Sequence, residues 1–402
     1  MKILHVVPTY VPAWRHGGPV AAVHGLCKAL ARRRHEVTVF TTDVHGADTL
    51  DVPRSVPVSL DGVTVWYFPV ALPRRLYRSP AMGAALRRVA AFDLAHLHSV
   101  FLWPTAAAAR AAVRAGVPYI VAPRGMLVAE LLRQRGWLRK RLWIDLVERR
   151  TLAGAAALHA TSQLEGAEAA QLGLALPPVH VVPNGVEQEP WDASREAELA
   201  APVRAALGRR PLLLFLGRVS WKKGLDRLIR ALALVPGATL AVAGNDEEGY
   251  RATLMRLAGE AGVAERVLHL GPVRGADKAA LLDGADLLLL TSYSENFGNV
   301  VLEAMAAGLP VVVTPEVGLA ATVRESGAGV VCDGDPPTLA AALRGLLADG
   351  AARREMGRRG AKAAAEDFSW DSVAAQMEKV YAGVLAGADR RRRLPEGMAA
   401  AR

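Results

Sequence analysis

Cysteine is nearly missing from this chain: two in 402 residues, Cys27 and Cys332, far apart and without metal-ligand spacing between them. That excludes a disulfide framework and a structural zinc site, and leaves both thiols as small buried hydrophobes. Aromatic residues make up only 5% of the sequence, too few for the stacking platform of a single-strand nucleic-acid reader. No apolar run reaches the length of a membrane span, and Met1-Lys2 leads straight into a short strand pattern, not into the apolar core of a signal peptide. A cytoplasmic protein is the expectation. The dinucleotide glycine fingerprint is also missing, because Gly17 and Gly18 lie well past the first strand pattern instead of turning tightly from it. Hydride chemistry therefore loses its main support.

What the chain does have is apolar content, 51% of residues, in short runs such as KILHVV, EVTVF, LLLFL, TLAVA and DLLLLT separated by Ala/Leu-rich stretches. Fully apolar runs of strand length point to buried parallel strands, hence an α/β fold with no sheet of hairpins. Strands are expected over 2–8, 36–41, 94–98, 119–122, 156–161 and 212–216, and a helix through Val23, Leu26 and Leu30 follows the Gly17-Gly18 loop. Near residues 177–191 the text becomes Pro-rich and loses helical period, and beyond Pro211 a second strand–helix series begins. The expected organisation is a first Rossmann-like domain over 1–182 and a second over 183–368. A helix over 369–388, capped by Ser369, and a basic tail without structure over 389–402 complete it.

The segment SENFGNVVLEAMAAG, residues 294–308, is the most informative. Gly298 and Asn299 stand where a helix begins, and unpaired N–H groups at the positive end of a helix suit a phosphate. One turn on, Glu303 stands among Val300, Val301, Leu302, Ala304 and Met305. A carboxylate in such a ring is expected to be buried and to need a polar partner, which a hydroxyl-rich ligand would supply; the plainer reading is a solvated Glu in a surface helix. The run GRVSWKKG, residues 217–224, places Arg218 and Lys223 at the C-terminal end of the strand over 212–216. Open α/β sheets bind ligands at that edge, and an Arg fork with a Lys point charge would clamp a diphosphate.

The formal net charge is +10, and its placement matters more than its size. Over 133–150 the chain carries seven Arg or Lys against Asp145 and Glu148, interleaved with Trp137, Leu138, Leu142 and Trp143. Such a helix suits an anionic membrane surface, or else turns its Trp and Leu toward its own core. Nucleic acid is not an expected partner.

In order along the chain, Gly17-Gly18, PNGV at 183–186, GRVSWKKG and SENFGNVVLEAMAAG resemble the retaining GT-B glycosyltransferases of family 4, and the resemblance spans nearly the whole sequence. It implies two Rossmann-like domains facing across a cleft, the nucleotide sugar on the second domain and the acceptor on the first, with the last helix crossing back to the first. By motif it implies diphosphate contacts from Arg218 and Lys223, contact of Glu295 with the transferred sugar, and the ribose on Glu303. It places the donor along Glu295, Asn296, Phe297 and the backbone of Gly298, Asn299 and Val300, with Gly17 and Gly18 reaching the same diphosphate. Where many members carry a sugar-contacting His, this chain reads APRGML over 122–127, with Arg124 at the comparable position. A similar PRGML signature marks a polysaccharide-assembly subgroup, which implies a glycan or lipid-linked acceptor. His98 and Arg124 are the acceptor-side candidates.

The resemblance implies a hexosyltransferase of nucleoside-diphosphate sugars that needs no metal and no cofactor, working in the cytoplasm or on the inner face of the membrane. The text Asp333-Gly334-Asp335 looks like a metal-binding acidic motif, but Asp335 followed by Pro336 and Pro337 reads as a helix N-cap with proline in the first turn. A GT-B epimerase of nucleotide sugars would share the architecture.

Overall fold

The computed structural model describes residues 1–128, 142–187, 192–246 and 249–393. The chain divides into two compact units, Met1–Gly185 with Trp370–Arg402, and Val186–Ser369.

The first unit holds β1 (Lys2–Val6), β2 (Glu36–Thr42), a small hairpin of β3 (Val44–His45) and β4 (Asp48–Thr49), β5 (Pro57–Leu60), β6 (Val63–Phe68), β7 (Leu94–His98), β8 (Tyr119–Ala122), β9 (Ala157–Ala160) and β10 (Val179–Val181). Eight of these form one sheet in the order β10-β9-β8-β7-β1-β2-β6-β5. The sheet is parallel except at its edge, where β5 runs antiparallel to β6. The two hairpins depart from the expectation of a purely parallel architecture. They arise where half-polar alternation (PVSL, VTVWYF) replaces the solid apolar runs.

Strand period two sends Ile3 to one face and Leu4 and Val6 to the other. The first face is covered by the helix Gly18–Arg32 through Val20, Val23, Leu26 and Leu30. The last helix, Trp370–Arg393, packs into the same layer through Val373, Met377 and Tyr381. At its surface Glu378 accepts hydrogen bonds from Arg33 at 2.7 and 2.8 Å and contacts His35 at 2.7 Å. These bonds, Arg33 above all, hold the carboxyl down at about 2. The helix continues through Arg393, so the tail expected from 389 begins helically; residues 394–402 lie outside the described residues.

The second unit is a six-stranded, fully parallel sheet of β11 (Leu212–Leu216), β12 (Thr239–Ala243), β13 (Val267–Gly271), β14 (Leu287–Leu290), β15 (Val311–Val313) and β16 (Gly329–Val331). Its order is β13-β12-β11-β14-β15-β16. Strands β11, β12, β14 and β15 are buried along their whole length. The order reverses between β11 and β14, and beyond the carboxyl ends of two such strands a crevice opens. Asp335 caps the helix Pro336–Ala348 by accepting from Thr338 N–H at 3.0 Å, with Pro336 opening the first turn. That is a structural task for a residue of the acidic motif.

Candidate functional site

The loops leaving β11 and β14 flank the reversal point of the second sheet. After β11 the chain passes Gly217 and the exposed Arg218, makes a 3-10 turn at Trp221–Lys223, and enters the helix Leu225–Ala233 through Gly224. Gly224 has φ +63°, and a Cβ on it would stand 2.0 Å from the Thr291 carbonyl oxygen. Only glycine lets the two loops approach so closely. Hydrogen bonds fasten them there, from Thr291 Oγ1 to the Gly224 carbonyl at 3.0 Å and from Tyr293 N–H to the Lys222 carbonyl at 2.8 Å.

The consequence is an ion pair between Lys223 Nζ and Glu295 Oε2, with side chains 16% and 19% exposed. Residues that the motifs assign to separate parts of a ligand thus touch each other, one from each loop. Glu295 is also fixed through its backbone: its N–H donates to the Glu316 carbonyl at 3.0 Å and its carbonyl accepts from Gly318 at 2.8 Å. Leu319 N–H donates to the Phe297 carbonyl at 3.1 Å. The segment after β15 therefore holds the motif in place, a support with no signal in the sequence.

Gly298, at φ +94°, is the N-cap of the helix Asn299–Ala306 and brings no side chain to its first turn. Asn296 is half-buried and Phe297 buried, with Phe297 serving as a core anchor. The helix is not buried all round. Val301, Leu302, Ala304 and Met305 face the core, while Asn299, Val300, Glu303 and Ala306 are half-buried along its other side. The expectation of an apolar ring around Glu303 is thereby corrected: Val300 is apolar but lies on the open side. Glu303 is 29% exposed, and its Oε1 lies 2.6 Å from Lys278 Nζ on the helix Gly275–Gly284. Its Oε2 is buried and has no hydrogen-bond partner among the described residues. Lys278 was not found by sequence reasoning, since it belongs to no motif and reaches Glu303 only through the fold.

In the first unit Gly17 is the N-cap and Gly18 the first residue of the helix Gly18–Arg32, and a Cβ on Gly17 would meet open space. The two acceptor-side candidates are brought together. His98 ends β7, and the Arg124 guanidinium, just past β8, lies 3.2 Å from its Nδ1 and donates to Asn184 Oδ1 at 2.8 Å. Asn184 comes from the PNGV segment. Arg124 holds a left-handed φ of +56°, and the turn is pinned by Glu165, whose Oε1 accepts from Gly125 N–H at 2.6 Å. His98 is 1% exposed, and its Nε2 meets His5 Nδ1 at 2.9 Å. Behind it His96 meets the Tyr381 hydroxyl at 2.8 Å and His159 at 3.2 Å. Burial holds all four imidazoles below their ordinary value of 6.5, His5 and His159 at about 3, with the Arg124 charge adding to the effect. They are a neutral, buried stack behind the exposed edge.

Of the basic stretch 133–150, residues 133–141 lie outside the described residues. In the rest, Leu142 and Leu146 are 60% and 59% exposed. Trp143 Nε1 donates to the buried Glu148 Oε1 at 2.9 Å. Burial raises the Glu148 pKa. These two leucines do not serve the core. Among the described residues no helix is long and apolar enough to cross a membrane.

Residues 17–185 match the family model described as "Glycosyl transferase 4-like domain", and residues 200–363 match "Glycosyl transferases group 1". A D-inositol 3-phosphate glycosyltransferase of Xylanimonas cellulosilytica is 33% identical over 393 residues, 91% of each chain. Among solved structures, sucrose-phosphate synthase from Thermosynechococcus elongatus superposes with a TM-score of 0.75 at 22% identity over 96% of this chain and 100% of its own. Anabaena HepE in complex with UDP-glucose gives 0.74 at 20% identity, over 95% and 100%. The fold is thus GT-B, with two Rossmann-like domains.

Proposed function

The chain belongs to the group 1 glycosyl transferases, and from that premise we propose that it moves a hexose from a nucleoside-diphosphate sugar to a glycan or lipid-linked acceptor with retention of anomeric configuration. The observation that carries the reading is the meeting of Lys223 and Glu295 across the reversal point of the second sheet, with Arg218 in the same loop as Lys223 and Glu295 three residues before the Gly298-capped helix. Departure of a nucleoside diphosphate builds negative charge, and fixed positive groups that need not reorganise stabilise it most. Arg218, Lys223 and the N-terminus of the helix Asn299–Ala306 supply that charge, so the chemistry requires no metal. Lys223 keeps one ammonium N–H on Glu295 and offers the others to phosphate, Glu295 takes sugar hydroxyls through its remaining lone pairs, and Glu303 takes the ribose through Oε2, which has no partner among the described residues. Asn296, Phe297, Asn299 and Val300 shape the donor site, and Gly17 and Gly18, where a helix begins, offer backbone N–H groups to phosphate.

On the acceptor side, Arg124 is the contact residue and His98 orients it. The PRGML segment favours assembly of a cell-surface polysaccharide. The exposed Leu142 and Leu146 beside Arg149 and Arg150 favour peripheral attachment to an anionic membrane face of the cytoplasm. The D-inositol 3-phosphate glycosyltransferase relative and the UDP-glucose complex of HepE support a nucleotide-sugar donor.

A thermal-shift screen over UDP-, GDP- and ADP-sugars tests the reading, because a ligand of the folded state raises the melting temperature by mass action. A rise with one nucleotide sugar, followed by acceptor-dependent release of its diphosphate, is expected. No rise with any of them would contradict it, and isomerised donor formed without acceptor would replace transfer by epimerisation.

A further inference from the structure

Two aromatic rings stand beside the diphosphate clamp with no task in the reading above. Trp221 is 42% and Tyr293 38% exposed, in a chain where large aromatics are scarce and mostly internal. Their centroids are 6.3 Å apart and their planes tilted by 39°. Both come from the loops that carry Lys223 and Glu295, Trp221 two residues before the lysine and Tyr293 two before the glutamate.

The Tyr293 ring is held at its hydroxyl and on one face. Its hydroxyl contacts Asp226 Oδ2 at 2.9 Å, the Arg227 guanidinium lies 3.7 Å from its centroid, and its N–H is bonded to the Lys222 carbonyl. Arg227 is in turn fixed by the Thr291 carbonyl at 3.2 Å. The Lys222 ammonium lies 5.9 Å from the Trp221 ring. Asp226, between ring and backbone, keeps Oδ1 buried and without a hydrogen-bond partner among the described residues.

Exposed apolar rings are common singly; two rings held side by side by charged groups are a built surface. We propose that Trp221 and Tyr293 form a saccharide subsite, taking the C–H face of a pyranose of the acceptor glycan while Asp226 holds the Tyr293 ring in place through its hydroxyl. The inference rests on the sugar-transfer reading and adds the part of the site that reads the acceptor. A tilted pair suits a puckered ring edged with hydroxyls. A flat nucleobase would call for parallel faces, and one face of Tyr293 is already covered by Arg227.

The test uses the full chain and its variants Trp221→Ala, Trp221→Phe, Tyr293→Ala and Asp226→Asn. Retention on an array of hexose, uronic-acid and amino-sugar oligosaccharides is measured, and in parallel calorimetric affinity for the UDP-, GDP- and ADP-sugars. The expected result is glycan binding weakened about tenfold or more by Trp221→Ala and Tyr293→Ala, weakened by Asp226→Asn, and largely restored in Trp221→Phe, with nucleotide-sugar affinity within about twofold. Glycan binding unchanged in both alanine variants, or no glycan bound by the wild type, overturns the subsite. A tenfold loss of nucleotide-sugar affinity in those variants assigns the rings to the donor base and overturns it as well. If the wild type binds glycans through these residues but no nucleotide sugar, the transfer reading fails while the ledge stands.

Discussion

Lys278 Nζ lies 2.6 Å from Glu303 Oε1, leaving the other carboxylate oxygen buried and without a hydrogen-bond partner among the described residues. The lysine fixes how the Glu303 carboxylate is turned, with one oxygen on the ammonium and the other left for a ligand hydroxyl. With both side chains about a third exposed, the pair contributes little to folding. Glu303→Ala is therefore expected to melt near the wild-type temperature yet bind nucleotide sugar about ten- to a hundredfold more weakly, the value of a hydrogen bond to a charged group. Calorimetry checks it, and unchanged affinity would remove the ribose role.

Arg218→Ala and Lys223→Ala are each expected to lower turnover by about 10²–10³-fold, the usual effect of losing one preorganised charge donor. Steady-state transfer rates decide. Rates within about threefold of wild type would refute the assignment of that residue.

The close approach at Gly224 makes it the tightest steric test. Gly224→Ala puts a methyl 2.0 Å from a backbone oxygen at a positive φ, and such substitutions cost more than about 1 kcal/mol. A fall in melting temperature of at least about 2–4 °C is expected for a unit of this size, together with loss of activity as Lys223 moves from Glu295.

The buried histidines tie stability to pH. His5, His96, His98 and His159 stay neutral in the fold far below 6.5, two of them down to about 3, whereas in the unfolded chain they take up protons near 6.5. The unfolded state therefore binds more protons between about 6.5 and 3, and stability is lost as pH falls through that window, by up to about 1.4 kcal/mol per pH unit for each histidine. Urea midpoints at pH 7.5 and 5.5 should fall accordingly, and less steeply in His159→Gln. Equal midpoints would show that the stack is protonated or open.

Legibility in the sequence followed the range of the interactions. Strands Leu94–His98, Tyr119–Ala122 and Leu212–Leu216 stand where apolar runs place them, because burial on both faces leaves a signal within five residues. The loops bearing Arg218, Lys223 and Glu295 were legible for the same reason, each being a strand end followed by glycine and a helix. The strands β5 and β6 over 57–68, at and next to the sheet edge, left no clear signal, since their alternating pattern is weak. Contacts closed over long stretches of chain left no trace: Lys278 on Glu303, Asn184 on Arg124, Glu165 on Gly125, and the imidazole stack assembled from three strands. Val300 misled the reading of its helix because an apolar residue on the open side looks like core until the neighbouring helix is in place.

Sugar transfer by this chain depends on the side chains at 218 and 223 binding a diphosphate. Calorimetric titration of a nucleoside diphosphate and its monophosphate into wild type, Arg218→Ala and Lys223→Ala decides the point. Each variant should lose about tenfold or more in affinity for the diphosphate and much less for the monophosphate. Equal diphosphate affinity in all three proteins would contradict the clamp.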